Sequence, residues 1–255
     1  MKKFKILLFL ILVLPQFNLC AQDKAELKKW ELLIEPYLMF PNMNGKSGIR
    51  ELPLIDIDAS SSDIFSNLDF GAMLYLEARS DKWIFASDFV YMKLSQEVIP
   101  TTLINSGEIE VSQLIWELSS LYRIRPFLDV GLGLRFNNIT MAADISRNTI
   151  GGGSVQLVSA ENSEFWVDPV IIARLSETIN DIWQFQLRTD IGGFGIGSNL
   201  TWQIQGGVGY RFSKLFQTTM GYRIIGMDYE KGSGPEKFRY DITTSGPIIK
   251  LGFNF

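Results

Sequence analysis

Histidine is absent from all 255 residues, and with it the side chain best poised to exchange protons near neutral pH. Acid–base machinery built on an imidazole is excluded, so any enzyme activity would have to rest on carboxylates. Cysteine occurs once, as Cys20, which leaves no disulfide framework. The apolar run Ile6–Pro15 is about half the roughly 20 residues that a membrane-crossing helix needs. There is no basic cluster either: 24 Lys and Arg stand against 28 Asp and Glu, for a net charge of −4. Nothing in that balance suits a nucleic-acid partner.

What is present begins with a leader. Lys2, Lys3 and Lys5 precede Ile6–Pro15, and Leu19-Cys20-Ala21-Gln22 follows, the layout of a secretory signal peptide over 1–21 cleaved near Ala21. Bulky Leu19 before Cys20 makes a poor lipobox. Cleavage after Ala21 removes the one cysteine and three lysines, which takes the net charge to −7. Residues 22–29 are polar, charged and helix-prone, and read as a short lead-in to a single domain over 30–255.

The organising stretch is Ile182–Phe212. Trp183, Phe185, Leu187 and Ile191 alternate with Gln184, Gln186, Arg188 and Asp190. Beyond the break at Gly192–Ser198, Trp202, Ile204, Val208, Tyr210 and Phe212 alternate with Thr201, Gln203, Gln205, Gly207, Gly209 and Arg211. A period of two predicts strands, and about 12 residues per strand matches a tilted membrane crossing better than the usual soluble strand. One face carries almost nothing that hydrogen-bonds, while the other carries charges that need partners.

The same alternation recurs over Trp30–Phe40, Leu68–Arg79, Trp83–Leu94, Glu108–Arg123, Phe127–Thr140, Ser163–Ser176, Leu215–Tyr229 and Lys237–Phe255, with a parity slip near Ser245-Gly246 that suggests a bulge. Short turns at 80–82, 124–126, 177–181 and 213–214 alternate with longer loops at 41–67, 95–107, 141–162, 194–199 and 230–236. The fold class expected is all-β: an antiparallel up-and-down transmembrane β-barrel of ten strands, or eight or twelve if the first strand or the 51–58 segment is miscounted. A soluble calycin-like barrel would instead bury the ionisable groups or expose every Trp-rich face to water.

With apolar faces outward, Glu31, Glu35, Asp69, Glu77, Asp88, Glu117, Asp129, Asp168 and Asp190 face inward against Arg79, Arg123, Arg135, Arg174, Arg188, Arg211, Arg223 and Lys250. The signs nearly cancel. Inward Gly131, Gly133, Gly207, Gly209 and Gly221 leave room for long arginines, so a salt-bridge network that plugs the lumen is expected. Asp56–Ser62 loosely resembles a calcium loop but lacks the Gly at its sixth position, and Asn67 stands where a bidentate Glu should close it. Ser60–Asp63 reads instead as a helix cap before Ile64 and Phe65, and Gly193–Gly197 as a turn, since no helix follows. No metal and no cofactor are expected.

These strands and the terminal Leu251, Phe253 and Phe255, together with Trp166–Pro169, Asp190–Ser198, Trp202-Gln203, Gly221–Arg223, Tyr240-Asp241 and Ser245–Pro247, resemble the small outer-membrane β-barrels of Gram-negative bacteria. That group includes OmpW-, OmpA- and OmpX-like barrels, here a subgroup of undefined function. The resemblance covers nearly the whole mature chain. It implies a location in the outer membrane with lipid around the barrel, a periplasmic lead-in, and Phe253 and Phe255 as the mark that the barrel-assembly machinery reads on the last strand. It also leaves three functions open: a structural or surface-interaction barrel whose loops 41–67 and 141–162 meet an external ligand, a narrow OmpW-like channel for small solutes, and a carboxylate-based membrane enzyme centred on Asp168 or Asp190. A wide porin does not fit, because open channels generally need about 16 strands.

Overall fold

The computed structural model of the chain describes residues 30–49, 54–98, 104–148, 155–234 and 237–255. The expected leader and lead-in over 1–29 lie outside the described residues. The strands are β1 Glu31–Met39, β2 Asn42–Ile49, β3 Ile55–Ala59, β4 Leu68–Arg79, β5 Trp83–Glu97, β6 Ile104–Arg125 and β7 Leu128–Asn148. They continue as β8 Val155–Ile179, β9 Trp183–Gly192, β10 Leu200–Arg211, β11 Phe216–Lys231 and β12 Phe238–Asn254, with one α-helix among the described residues, α1, at Ser61–Ser66. All pairings are antiparallel. β1 and β4 to β12 form a ring of ten strands that closes through β1 on β12.

Closure removes the edges that an open sheet would expose. The last strand takes part along its whole length, with Ile34 opposite Phe253 and two backbone hydrogen bonds joining Leu32 to Phe255. β2 carries on from β1 along the upper half of β12. The partner positions advance from Met39↔Ile248 to Asn42↔Ser245 without an offset, and β11 also pairs with β12 in unbroken register. The bulge expected near Ser245 is therefore not there. The polar run Thr243–Ser245 imitated a parity change, while Gly246 keeps the inward position because a Cβ there would lie 2.0 Å from the Phe40 carbonyl oxygen.

Within 41–67, expected as an outer loop with some structure of its own, the described residues form two strands and a helix. β2 and β3 form a hairpin, and α1 opens with a capping box in which Ser60 Oγ accepts from the Asp63 backbone N–H and the Asp63 carboxylate accepts from the Ser60 N–H. The Ser60 hydroxyl, donating to the Asp63 carboxylate at 2.6 Å, and the Ser60 N–H together hold that carboxyl below its ordinary range. The segment 141–162 was also expected to be a loop, and this is corrected: β7 and β8 pair continuously from Leu128↔Leu175 up to Asn148↔Val155. Because β6, β7 and β8 lengthen together, each supplies the ladder partners of the next. At 22, 21 and 25 residues they far outrun β9 and β10, at 10 and 12. A tall sheet thus stands on one side of a low wall.

Outward faces are apolar, with Leu132, Met220, Leu38 and Ile171 exposed. Around the end that carries both described termini runs a chain of ring contacts, Trp183–Tyr210, Tyr210–Phe212, Phe212–Phe216 and Phe216–Phe253, all at 4.8–5.5 Å. Such a girdle suits the boundary between hydrocarbon and water. Charges point inward, the reverse of a soluble barrel.

Candidate functional site

The inward positions stack in bands along the strands. In the central band, Arg135 of β7 reaches the residue opposite it on β6, Glu117, through Nη2 at 2.7 Å and Nε at 3.2 Å. It also donates to Asp190 of β9 at 2.8 Å and to Thr201 of β10 at 2.9 Å. Arg188 bonds the other Glu117 oxygen and lies 3.4 Å from Asp190. Beside this group, Arg223 pairs with Asp88 at 3.1 Å and donates to Tyr37 and Gln203, while the Tyr37 hydroxyl donates to Asp88 at 2.6 Å. Buried charges are tolerable only when paired and hydrogen-bonded, and these are.

Below the central band Ile84, Leu121, Val170 and Ile172 fill one side of the barrel. Nearer the girdle, Arg174 joins Asp129 at 2.8 Å to Glu77 at 2.5 Å, Tyr75 donates to Glu77, and Arg123 reaches Asp129 at 3.2 Å. Lys250 lies 3.7 Å from Glu35 and 4.6 Å above the Tyr75 ring.

Above the central band stands Asp168, fully buried and, among the described residues, without a cation partner. Its carboxylate accepts from the Ser198 N–H at 2.6 Å, Ser198 Oγ at 2.8 Å, Asn137 at 3.0 Å and Trp166 Nε1 at 3.1 Å. Four neutral donors thus take the place of a counter-ion and pin the β9–β10 loop against β8. Gly197 permits this, since a Cβ there would lie 2.4 Å from the Val167 carbonyl oxygen. Over Asp168 an apolar plug closes the upper lumen: Trp166 stacks on Tyr229 at 4.0 Å, with Ile115, Ile139, Phe238 and Tyr240 packed around them. The stack and the Lys231–Glu164 pair at 2.9 Å bridge β8 to β11 above the short β9–β10 hairpin.

No protein-family model and no curated protein matches the chain. Among solved structures it is similar to the outer membrane protease OmpT from Escherichia coli, with 8% identity over 90% of this chain and 97% of that one, at a TM-score of 0.50. It is also similar to the attachment invasion locus protein Ail of Yersinia pestis (9%, 89% and 98%, TM-score 0.34) and to Neisserial surface protein A (11%, 88% and 95%, TM-score 0.30). Joined to the apolar belt and the closed ring, the OmpT likeness decides the class. The fold is that of a bacterial outer-membrane β-barrel.

In outer-membrane barrels the short turns face the periplasm and the longer connections face outward. The aromatic girdle and the described termini of this barrel therefore mark its periplasmic end, and the tall β6–β8 sheet is extracellular. Of the residues expected in the lumen, Glu35, Glu77, Asp88, Glu117, Asp129, Arg135, Asp168, Arg174, Arg188, Asp190, Arg223 and Lys250 are buried inside. Asp69 is not: the β4–β5 register shifts between Leu68 and Phe70, which turns Asp69 outward to Lys93 at 3.6 Å. Glu31 sits at the exposed periplasmic rim, 3.3 Å from Arg79. Arg211 faces the lumen but has no ion pair among the described residues.

Tyr37, Tyr75, Gln203, Asn137 and Gln217 were missed as network members, although each shares the inward parity of a charged neighbour two residues away or across the ladder; Thr201, also missed, has the uncharged Gln203, Gly192 and Met227 in those places. Ser198 could not be found that way, because it reaches Asp168 from a turn. Among the described residues no group of three or more acidic side chains is arranged to hold a metal ion.

Proposed function

We propose that this outer-membrane barrel works from its outer surface and conducts nothing through its lumen, serving as a rigid structural or surface-interaction anchor. The observation that carries this reading is the pair of closures in series: the Arg135–Glu117–Asp190 cluster, whose guanidinium has no exposed surface, and above it the Trp166–Tyr229 stack. An ion entering from either side would have to break paired charges, or cross an apolar plug that offers it no ligand.

In this reading lipid covers the outward Leu, Ile and Phe belt, and Phe253 and Phe255 of β12 act as the mark for barrel assembly. An external partner meets the structured upper segments, the β2–β3 hairpin with α1 and the tall hairpin of β7 and β8. The buried positions of Asp168, held by four donors, and of Asp190, paired with Arg135 and Arg188, speak against the carboxylate enzyme. Neither a cofactor nor a metal is required.

Planar-bilayer recording of the refolded protein tests the proposal. It should show a quiet baseline at voltages where porins of known size open, and stable single-channel steps would overturn it in favour of the narrow channel.

A further inference from the structure

At the periplasmic mouth the lumen widens into a polar vestibule of about 120 Å³, room for one oxyanion group rather than a solute in transit. Gly207 and Gly209 of β10, both inward, leave the space. Five cationic side chains line it, Arg79, Arg123, Arg174, Arg211 and Lys250, against the carboxylates Glu35, Glu77 and Glu177. Most of these are already engaged. Arg174 holds Glu77 and shares Asp129 with Arg123, Lys250 faces Glu35, and Glu177 is exposed at the rim.

Arg211 stands apart. It ends β10 at an inward position, and no carboxylate among the described residues lies within 4.0 Å of its guanidinium nitrogens. Its Nε is sealed from solvent with no hydrogen-bond partner. The residue directly across the ladder is Gln217, a neutral amide already donating to Glu35 and accepting from Asn254. Arg79 lines the same vestibule: its Nε is also sealed without a hydrogen bond, though the guanidinium lies 3.3 Å from Glu31 and 4.0 Å from Glu77 and donates to Asn254 at 3.2 Å. Arg135, Arg174, Arg188 and Arg223 are each matched to a carboxylate, whereas among the described residues Arg211 has none, so its charge calls for an acceptor from outside. A guanidinium that lines a small polar cleft is suited to a carboxylate or a phosphoryl group.

We propose that this vestibule is a periplasm-facing oxyanion site, with Arg211 as its principal ligand and Arg79 beside it, taking a single carboxylate or phosphate group of a periplasmic molecule. The glutamines and threonines that share the wall, Gln184, Gln186 and Thr219, supply neutral hydrogen bonds to the atoms around that group. The site is independent of whether the barrel conducts.

Calorimetric titration of refolded protein with inorganic phosphate, and separately with acetyl-dialanine as a carboxylate-terminated peptide, tests this. Saturable binding of one or both is expected, and the stronger of the two identifies the group. Arg211→Gln should weaken it by roughly ten- to a hundredfold, the loss expected for a charge-assisted hydrogen bond. Arg239→Gln, remote on the extracellular side, should leave it unchanged. Thr219→Glu, which supplies a resident carboxylate to the same cleft, should abolish it with the heat-dependent gel shift intact, and this variant decides the matter if Arg211→Gln does not fold. Absence of saturation with both anions, or equal binding by wild type and the Arg211 or Thr219 variant, would overturn the assignment.

Discussion

Arg135 and Asp190 meet at 2.8 Å in the middle of the barrel, and neither side chain exposes any surface. The strands that carry them, β7 and β9, are not neighbours, so this contact and the one to Glu117 tie β6, β7 and β9 together across the lumen. Arg135→Met would strip Asp190 of its 2.8 Å partner and leave Glu117 dependent on Arg188. Breaking one side of a buried pair costs about 3–5 kcal/mol, and a loss of that size is expected in urea unfolding from detergent or lipid. Adding Asp190→Leu to Arg135→Met should recover part of it, since an apolar filling removes the stranded charge. A double variant no better than the single one would mean that the network is not energetically coupled.

The β9–β10 loop offers a sharper comparison, because two glycines two residues apart do different work. Gly195 has φ +74° with nothing within 4 Å of a Cβ, whereas Gly197 would drive a Cβ to 2.4 Å from Val167 O and 2.5 Å from Asp168 Oδ1. Gly195→Ala should cost about 1–2 kcal/mol, from the left-handed backbone alone. Gly197→Ala should cost more, because the loop must lift and break both Ser198 bonds to Asp168, leaving a buried carboxylate short of donors. The lifted loop should also show as a Trp166 indole signal shifted in NMR by Gly197→Ala and not by Gly195→Ala.

How much of this was legible beforehand follows from what each residue depends on. Glu117, Arg135 and Asp190 were placed inside by parity alone, because a closed barrel leaves only two sides and lipid excludes charge from one. Asp69 escaped that logic, since a one-residue shift at the end of β4 reverses facing without a sequence mark. The extension of β7 up to Asn148 and of β8 back to Val155 was hidden because, above the membrane, alternation no longer has to be apolar against polar. The band structure of the lumen was not readable either. Parity says that Trp166 and Tyr229 face inward, and the unbroken β12 register adds Tyr240, but only the register between distant strands brings them to one level and makes a plug of them. Arg211 and Arg135 look alike in sequence, and only their partners separate them.

That register also creates an unusual row on the outer face of the tall extracellular sheet. Glu97 lies directly opposite Glu108, and Glu108 directly opposite Asp144, three exposed acids side by side across β5, β6 and β7. Among the described residues Asp144 accepts one hydrogen bond, from Ser159. Like charges facing each other across a ladder destabilise it, each such pair by about 0.2–1 kcal/mol relative to a neutral one. Glu108→Lys turns two repulsions into two attractions at once, so it should raise the urea midpoint at low salt and protect the amides of the upper β6–β7 ladder from hydrogen exchange. The gain should shrink as ionic strength rises and the Debye length falls to about 8 Å at 0.15 M. Glu110→Lys, on a residue already paired with Lys93 at 2.6 Å, should do the opposite and lower the midpoint. If both substitutions moved stability in the same direction, the row would owe its effect to something other than the facing of like charges, and the sheet would have to be held by contacts indifferent to sign.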